Sequence, residues 1–485
     1  MISLNLITDP WIPVLTTSGP RVIAPWQITD PAVLRPDWPR ADLNVACLEL
    51  LIGLVRMADP PAHASDWARR RAADPDRLRD RLATYAPAFN LLGDGPRFMQ
   101  DRAALEGAAN ALDMLFLDSA GGQTVRNNAD LMVWRDRYPA LEPALTAMAL
   151  YALHAFAPSG GAGNRTSMRG GGPMVTLIQP DGPLWDMIWT NTPDGQPAPI
   201  EALPWMRPTV TSETGRQVFP EQAHPVEAFF GMPRRLRLVD DGAAITGVVQ
   251  RPYGTNYAGW DHPLTPYYRL KPTEGWLPRH PRAGLFTYRH WLGVIVGGAG
   301  DNPLTRRAQV LRDWMNRDGG PVRLLVAGWA MDNMKPRNFI YSTQPLFVLD
   351  PMAESAVIGM IEAADQFSLS LRNALAPVVA EGEAREALRE AFFAETQAAF
   401  EQSVQAAQRG EAVAEGWIAA TRRVALRLFE ARALPGLADR DVADQRAIVQ
   451  AHRNLRGSFA GYGTYGGKAY EAMMLDKPSK KKEAA

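Results

Sequence analysis

The run ESAVIGMIEAADQFSLSLRNAL, Glu354 to Leu375, places Val357, Ile361, Ala364, Phe367, Leu371 and Leu375 at three- and four-residue steps. That spacing sets a single apolar stripe along a helix. The texture continues downstream: from Glu354 to Arg456 the prolines are Pro377 and Pro435 alone, and alanine, glutamate, arginine and leucine dominate. Breaks near Pro377 to Gly382, at Gly410 and at Pro435 to Asp439 divide the stretch into helices. In the third, Trp417, Ala420, Val424, Leu428 and Ala431 repeat the stripe. Amphipathic helices of this length joined by short loops pack antiparallel, so residues 353–460 are expected to form a four-helix bundle.

Upstream, the pattern changes. Short β-like runs such as ISLNLI, MVTLI, VRLLVAGW and PLFVL alternate with Pro/Gly-rich connections and with helical pieces at Leu43 to Met57 and Leu141 to Phe156. The fold class is α+β: a large irregular mixed N-terminal domain over residues 1–352, then the bundle. Residues 461–485, ending in DKPSKKKEAA, are expected to be a flexible tail. Gly461-x-Gly463-x-x-Gly466 has the letters of a dinucleotide loop but follows a helix rather than a strand, so it is read as an exit from the bundle.

With 485 residues, 46% of them hydrophobic and 21% charged, the chain can bury more than one core. Lysine plus arginine equals aspartate plus glutamate at 52 each, so a nucleic-acid surface would have to be local. A lone cysteine, Cys47, leaves no disulfide framework and no multi-cysteine metal site. The seven histidines include no HExxH pair, and neither a GxSxG elbow nor a Walker loop occurs. No metal, cofactor or catalytic function is therefore expected. The start MISLNLITDP lacks a basic n-region, and the apolar run Leu145 to Ala157 is too short to span a membrane. A cytoplasmic protein without membrane contact is expected.

Three segments point toward nucleic acid. Between Arg251 and Arg337, basic residues outnumber acids, which include Asp301 and Asp318, and Tyr253, Tyr257, Trp260, Tyr267 and Tyr268 lie among them. Such a stretch is either a phosphate-tracking, base-stacking surface or a solvated face over core aromatics. Ser159 to Pro173 carries six glycines with Arg165 and Arg169 between them. It is either a linker or a held loop whose bare amides can approach phosphates and bases. Asp332-Asn333-Met334-Lys335 sits between the strand-like VRLLV and NFIYS and is expected to form the tip of a hairpin-like turn. An amide, a methionine and a lysine at such a tip suit insertion into a groove, beside the plainer reading of a simple turn.

Trp11-Ile12-Pro13-Val14, Arg97-Phe98-Met99-Gln100-Asp101, the Gly160 to Gly172 loop, Tyr257-Ala-Gly-Trp260-Asp-His-Pro-Leu-Thr-Pro266 and Gly328-Trp-Ala-Met-Asp-Asn-Met-Lys335 occur together and in order. In this combination the chain resembles the CasA family, the large subunit of the type I-E CRISPR Cascade complex. The resemblance implies a non-enzymatic subunit that checks the protospacer-adjacent motif of double-stranded DNA, helps open the duplex for R-loop formation and recruits a helicase-nuclease. The implied partners are other Cascade protein subunits, crRNA and target DNA. By position, the family's glycine loop falls on Gly160, Gly161 and Gly163, flanked by Asn164, Arg165 and Arg169. Its wedge falls on Asp332, Asn333 and Met334, followed by Lys335, and its mid-chain basic residue on Arg251 or Lys271. Some relatives carry glutamine where Asn333 stands, and some carry a cysteine cluster that this chain lacks. The rival expectation is a scaffold subunit of a ribonucleoprotein complex without direct DNA contact.

Overall fold

The computed structural model describes the chain outside residues 1–2, 131–132, 162, 298–303, 318 and 479–485. Asp301 and Asp318 of the charged stretch and the end of the tail thus lie outside the described residues. The chain divides into two compact units, residues 1–283 with 308–346, and residues 284–307 with 347–485.

In the first unit, β1 (Ile12–Thr16), β2 (Gly19–Ile23) and β3 (Val33–Pro36) form an antiparallel sheet with β1 in the middle. Ile12 and Val14 turn inward from β1, and the Trp11 indole donates to Leu6 O at 2.9 Å, so the WIPV segment is core. Helix α1 (Ala41–Ala58) is buried almost all round, with Glu49 inside. A helix without a polar face belongs to a core rather than a surface. It packs against α2 (Pro143–Phe156), which starts on a proline in its first turn.

The long glycine-bearing connection 157–174 carries α2 into β4 (Val175–Gln179). The ladder of β5 (Arg235–Asp240) with β6 (Ile245–Arg251) is anchored by the RFMQD segment: Gln100 accepts from Leu238 N at 2.9 Å, and Asp101 pairs with Arg235 at 2.6 Å. Strands β7 (Val322–Asp332) and β8 (Lys335–Leu346) make a long hairpin. β4 joins it antiparallel to β7, giving the order β8-β7-β4.

The second unit contains α3 (Pro351–Ala374), α4 (Gly382–Gln408), α5 (Ala414–Ala433), α6 (Val442–Ser458) and α7 (Gly463–Ala472). The stripe read on α3 is buried throughout, Val357 to Leu375. On α5 the buried line is Trp417, Thr421, Ala425, Leu428, and Ala431 is exposed. Trp417 and Leu428 hold their places while the line between them runs through Thr421 and Ala425 rather than Ala420 and Val424; Thr421 tolerates burial because its hydroxyl donates to Trp417 O at 2.7 Å. Segment 284–307 contributes to this core: Tyr288 stacks on Phe400 at 4.3 Å between centroids and bonds Thr396 Oγ1 at 2.6 Å. A boundary at residue 352 therefore differs from the observed division.

The flexible tail expected from residue 461 is corrected by α7, which buries Ala469 and is tied to α3 by Asn373 Nδ2 donating to Tyr465 OH at 2.8 Å. Tertiary packing here overrides the poor helix propensity of its glycines. Among the described residues no helix is long and apolar enough to cross a membrane.

Candidate nucleic-acid interface

The β7–β8 hairpin closes through two residues. Asp332 pairs with Lys335, and Asn333 and Met334 between them both take left-handed backbone angles, φ 47° and 63°. That is the geometry of a two-residue turn matched to the twist of the strands. Asparagine tolerates it well, whereas methionine seldom adopts it. The tip is exposed, Met334 by 51%. Asp332 is engaged within it, accepting from Asn333 Nδ2 at 3.0 Å and pairing with Arg337. The surfaces left to a ligand are the Asn333 amide, the methionine thioether and the exposed Lys335.

The glycine segment is a held loop. Gly160 N donates to Asn164 O, Ser167 N to Ala157 O at 2.8 Å, and Gly172 N to Phe156 O at 2.9 Å, so the chain folds back on the end of α2. Tyr253 N donates to Gly163 O at 2.9 Å, which ties the middle of the loop to the exit of β6. Gly172 has φ 63°, and a β-carbon there would collide with Trp329 O of β7. Only glycine allows this approach.

Loop and hairpin thus meet at one end of one sheet. Val175, the first residue of β4, pairs with Ala327, and β4 runs away from the hairpin tip. The loop that precedes β4 therefore lies on the tip side, and the tip extends about 17 Å beyond Ala327 at the usual strand rise. Gly160 and Gly161 are exposed on the same unit, at the start of the loop whose end, Gly172, packs on β7.

Not every residue expected at this surface is there. Arg169 is corrected: it is 2% exposed, its Nη2 lies 2.6 Å from Glu49, Nη1 reaches Thr265 Oγ1 at 3.2 Å, and the guanidinium covers Phe156. Burial pushes the Glu49 carboxyl up, but the charge of Arg169, aided by His262, outweighs it and holds the group below its usual range. This cluster fastens the loop to α1. Arg165 is half-buried and donates to Ser212 Oγ at 2.8 Å, and Asn164 accepts from Gln250 at 2.9 Å. Both shape the loop.

Of the two mid-chain cations, Arg251 is exposed at the end of β6, two residues before Tyr253 and its bond to the loop. Lys271 instead pairs with Glu274 at 3.6 Å, beyond the short Tyr267–Tyr268 ladder. The basic stretch is not one surface. Arg317 and Arg323 pair with Asp194 and Asp181, Arg269 covers Trp276, and Trp260 and Tyr267 are core. Arg289 pairs with Glu386 inside the second unit.

Sequence reasoning passed over Glu49 and Arg234, and it did not link Tyr253 to the glycine loop. Glu49 was signalled by its place in the apolar run Cys47-Leu-Glu-Leu-Leu51, since a buried carboxylate requires a partner. Among the described residues no group of three His, Cys, Asp or Glu is placed to hold a metal ion.

The fold has close counterparts among solved structures. Thermus thermophilus CasA (Cse1) is similar at TM-score 0.74 and 19% identity, over 94% of this chain and 98% of that one. Cse1 from Acidimicrobium ferrooxidans gives TM-score 0.69 and 19% identity, over 98% of this chain and 99% of that one. A chain of a CRISPR RNA-guided surveillance complex gives 0.71 and 15%, over 94% of this chain and 100% of that one. At these identities the likeness establishes the fold. Membership comes from the sequence: the family model for CRISPR-associated protein Cse1 matches residues 5–428, and the chain belongs to that family.

Proposed function

We propose that this chain is the large, non-catalytic subunit of a cytoplasmic RNA-guided surveillance complex, where it inspects double-stranded DNA for a short flanking motif and starts the opening of the duplex. In such complexes base pairing with the guide reads the long target, which leaves the protein a short motif and backbone contacts. The observation that carries the reading is that the glycine segment ends, at Gly172, against Trp329 and Met331 of β7, at the end of the β8-β7-β4 sheet from which the Asn333–Met334 tip projects. Bare backbone at Gly160 and Gly161 can approach a groove closely, and Arg251 and Lys335 supply cations for phosphates. Asn333 presents a donor and an acceptor to base edges, and Met334 offers an apolar face to an unstacked base. Prying apart the first base step costs a few kcal/mol, which wedge and phosphate contacts together offset. Other Cascade subunits, crRNA and a helicase-nuclease arriving after R-loop formation complete the setting.

Replacing Asn333 and Met334 together by alanine is expected to weaken binding of motif-bearing duplexes at least tenfold and to leave pre-opened bubble targets nearly unaffected. Titration of the assembled complex against both substrates measures this. Equal loss on the two would remove the wedge role, and no loss on either would favour a scaffold without DNA contact.

A further inference from the structure

We propose that Arg234 is a phosphate receptor built beneath the glycine loop, taking one phosphodiester of a nucleic-acid strand that enters the cleft beside Gly160. The inference deepens the function proposed above and rests on it.

Arg234 is 7% exposed, yet no carboxylate of the described residues pairs with it. Its neighbour shows the contrast: Arg235, at the start of β5, is paired with Asp101 at 2.6 Å. The Arg234 guanidinium spends one N–H on Pro158 O at 2.5 Å, and Nε has no partner among the described residues. Nη1 faces the loop so closely that a β-carbon on Gly160 would stand 2.8 Å from it. Burial draws the Arg234 pKa down to about 10, so it remains a cation at neutral pH. Burial also holds nearby His154 neutral, with its pKa near 3. A desolvated cation without a counter-charge weakens a fold unless an anion completes it.

The side chain lines a cleft of about 640 Å³, together with Gly160, Asn164 and Gln250, and with Trp134, which is 87% exposed. Of the acids on this cleft, Asp113 and Asp130 are paired with Arg137 and Arg135, and Asp136 is exposed to solvent. The uncompensated charge is therefore positive where the loop amides are. Guanidinium N–H groups arranged in a fork suit a phosphodiester, and any side chain at position 160 would crowd Nη1, so glycine keeps that group uncovered.

The test uses the full chain assembled in its complex and follows affinity for a motif-bearing duplex as salt is raised. Arg234→Gln is expected to reduce the slope of log affinity against log salt by about 0.7–0.9, the signature of one lost phosphate contact, while Arg234→Lys keeps the slope. Because the native charge is unpaired, Arg234→Gln is expected to melt no lower than the native chain. An unchanged slope in Arg234→Gln, whatever its affinity, overturns the assignment. So does a defect confined to assembly with the protein subunits, which would give the cation a carboxylate partner instead. If the native complex shows no motif-dependent duplex binding, both the assignment and the function it rests on fail; motif-dependent binding with an unchanged slope removes the assignment alone.

Discussion

Glu49→Gln is expected to lower the unfolding free energy by about 3–5 kcal/mol, the cost of stranding one member of a buried ion pair. The substitution keeps the shape of the side chain and removes its charge. It leaves the Arg169 guanidinium, 2% exposed, against the neutral His262 and Thr265, where water cannot solvate it. The loop that carries Arg169 would lose its tie to α1 along with that stability. Replacing both partners, Glu49→Leu with Arg169→Met, is expected to recover most of the loss, because two apolar groups leave no charge to strand. Denaturant titration of the native chain, the single variant and the double variant separates the cases. A double variant as unstable as the single one would show that packing, and not charge pairing, holds this site.

Acid is expected to destabilise the protein well above the range in which carboxylates titrate. His154 and His262 are both buried and neutral. Burial lowers their pKa values to about 3 and about 4, the Arg169 charge adding to the effect at His262. Between pH 6.5 and these values the unfolded chain binds a proton at each site and the folded chain does not, so stability rises with pH throughout that window. Each histidine contributes about 1.4 kcal/mol per pH unit. Together they amount to about 4 kcal/mol lost on going from pH 7 to pH 5. Denaturation midpoints across that interval measure it, and a flat profile would mean that both imidazoles can be protonated in place.

These two sites mark the limit of what could be read from the sequence. The hairpin tip was legible because Asp332 to Lys335 is a local feature, four polar or flexible residues between two strand-like runs. The first helix of the bundle was legible because periodicity reports burial directly, and membership in the family followed from motifs in order. Arg169 was misplaced because an arginine among glycines looks like surface. Its partner is 120 residues away in α1, and no local pattern links the two. The contact of Gly172 with Trp329 is equally long-range and depends on β4 pairing with β7. Arg234 was hidden in Pro233-Arg-Arg-Leu236, where one arginine finds Asp101 and the other finds no acid among the described residues. Helix α7 was missed because glycines predict an exit, while packing on α3 holds them in a helix.

The central claim is that the glycine loop and the hairpin tip touch the same few base pairs. Cys47, the chain's one cysteine, is buried, so a cysteine placed at Gly161 or at Met334 can carry a photo-crosslinker without competition. In the assembled complex, both positions are expected to form adducts with the same short stretch of duplex flanking the guide-matched sequence. Adducts from the tip alone, or from neither position while motif-bearing duplex is bound, would contradict a shared interface.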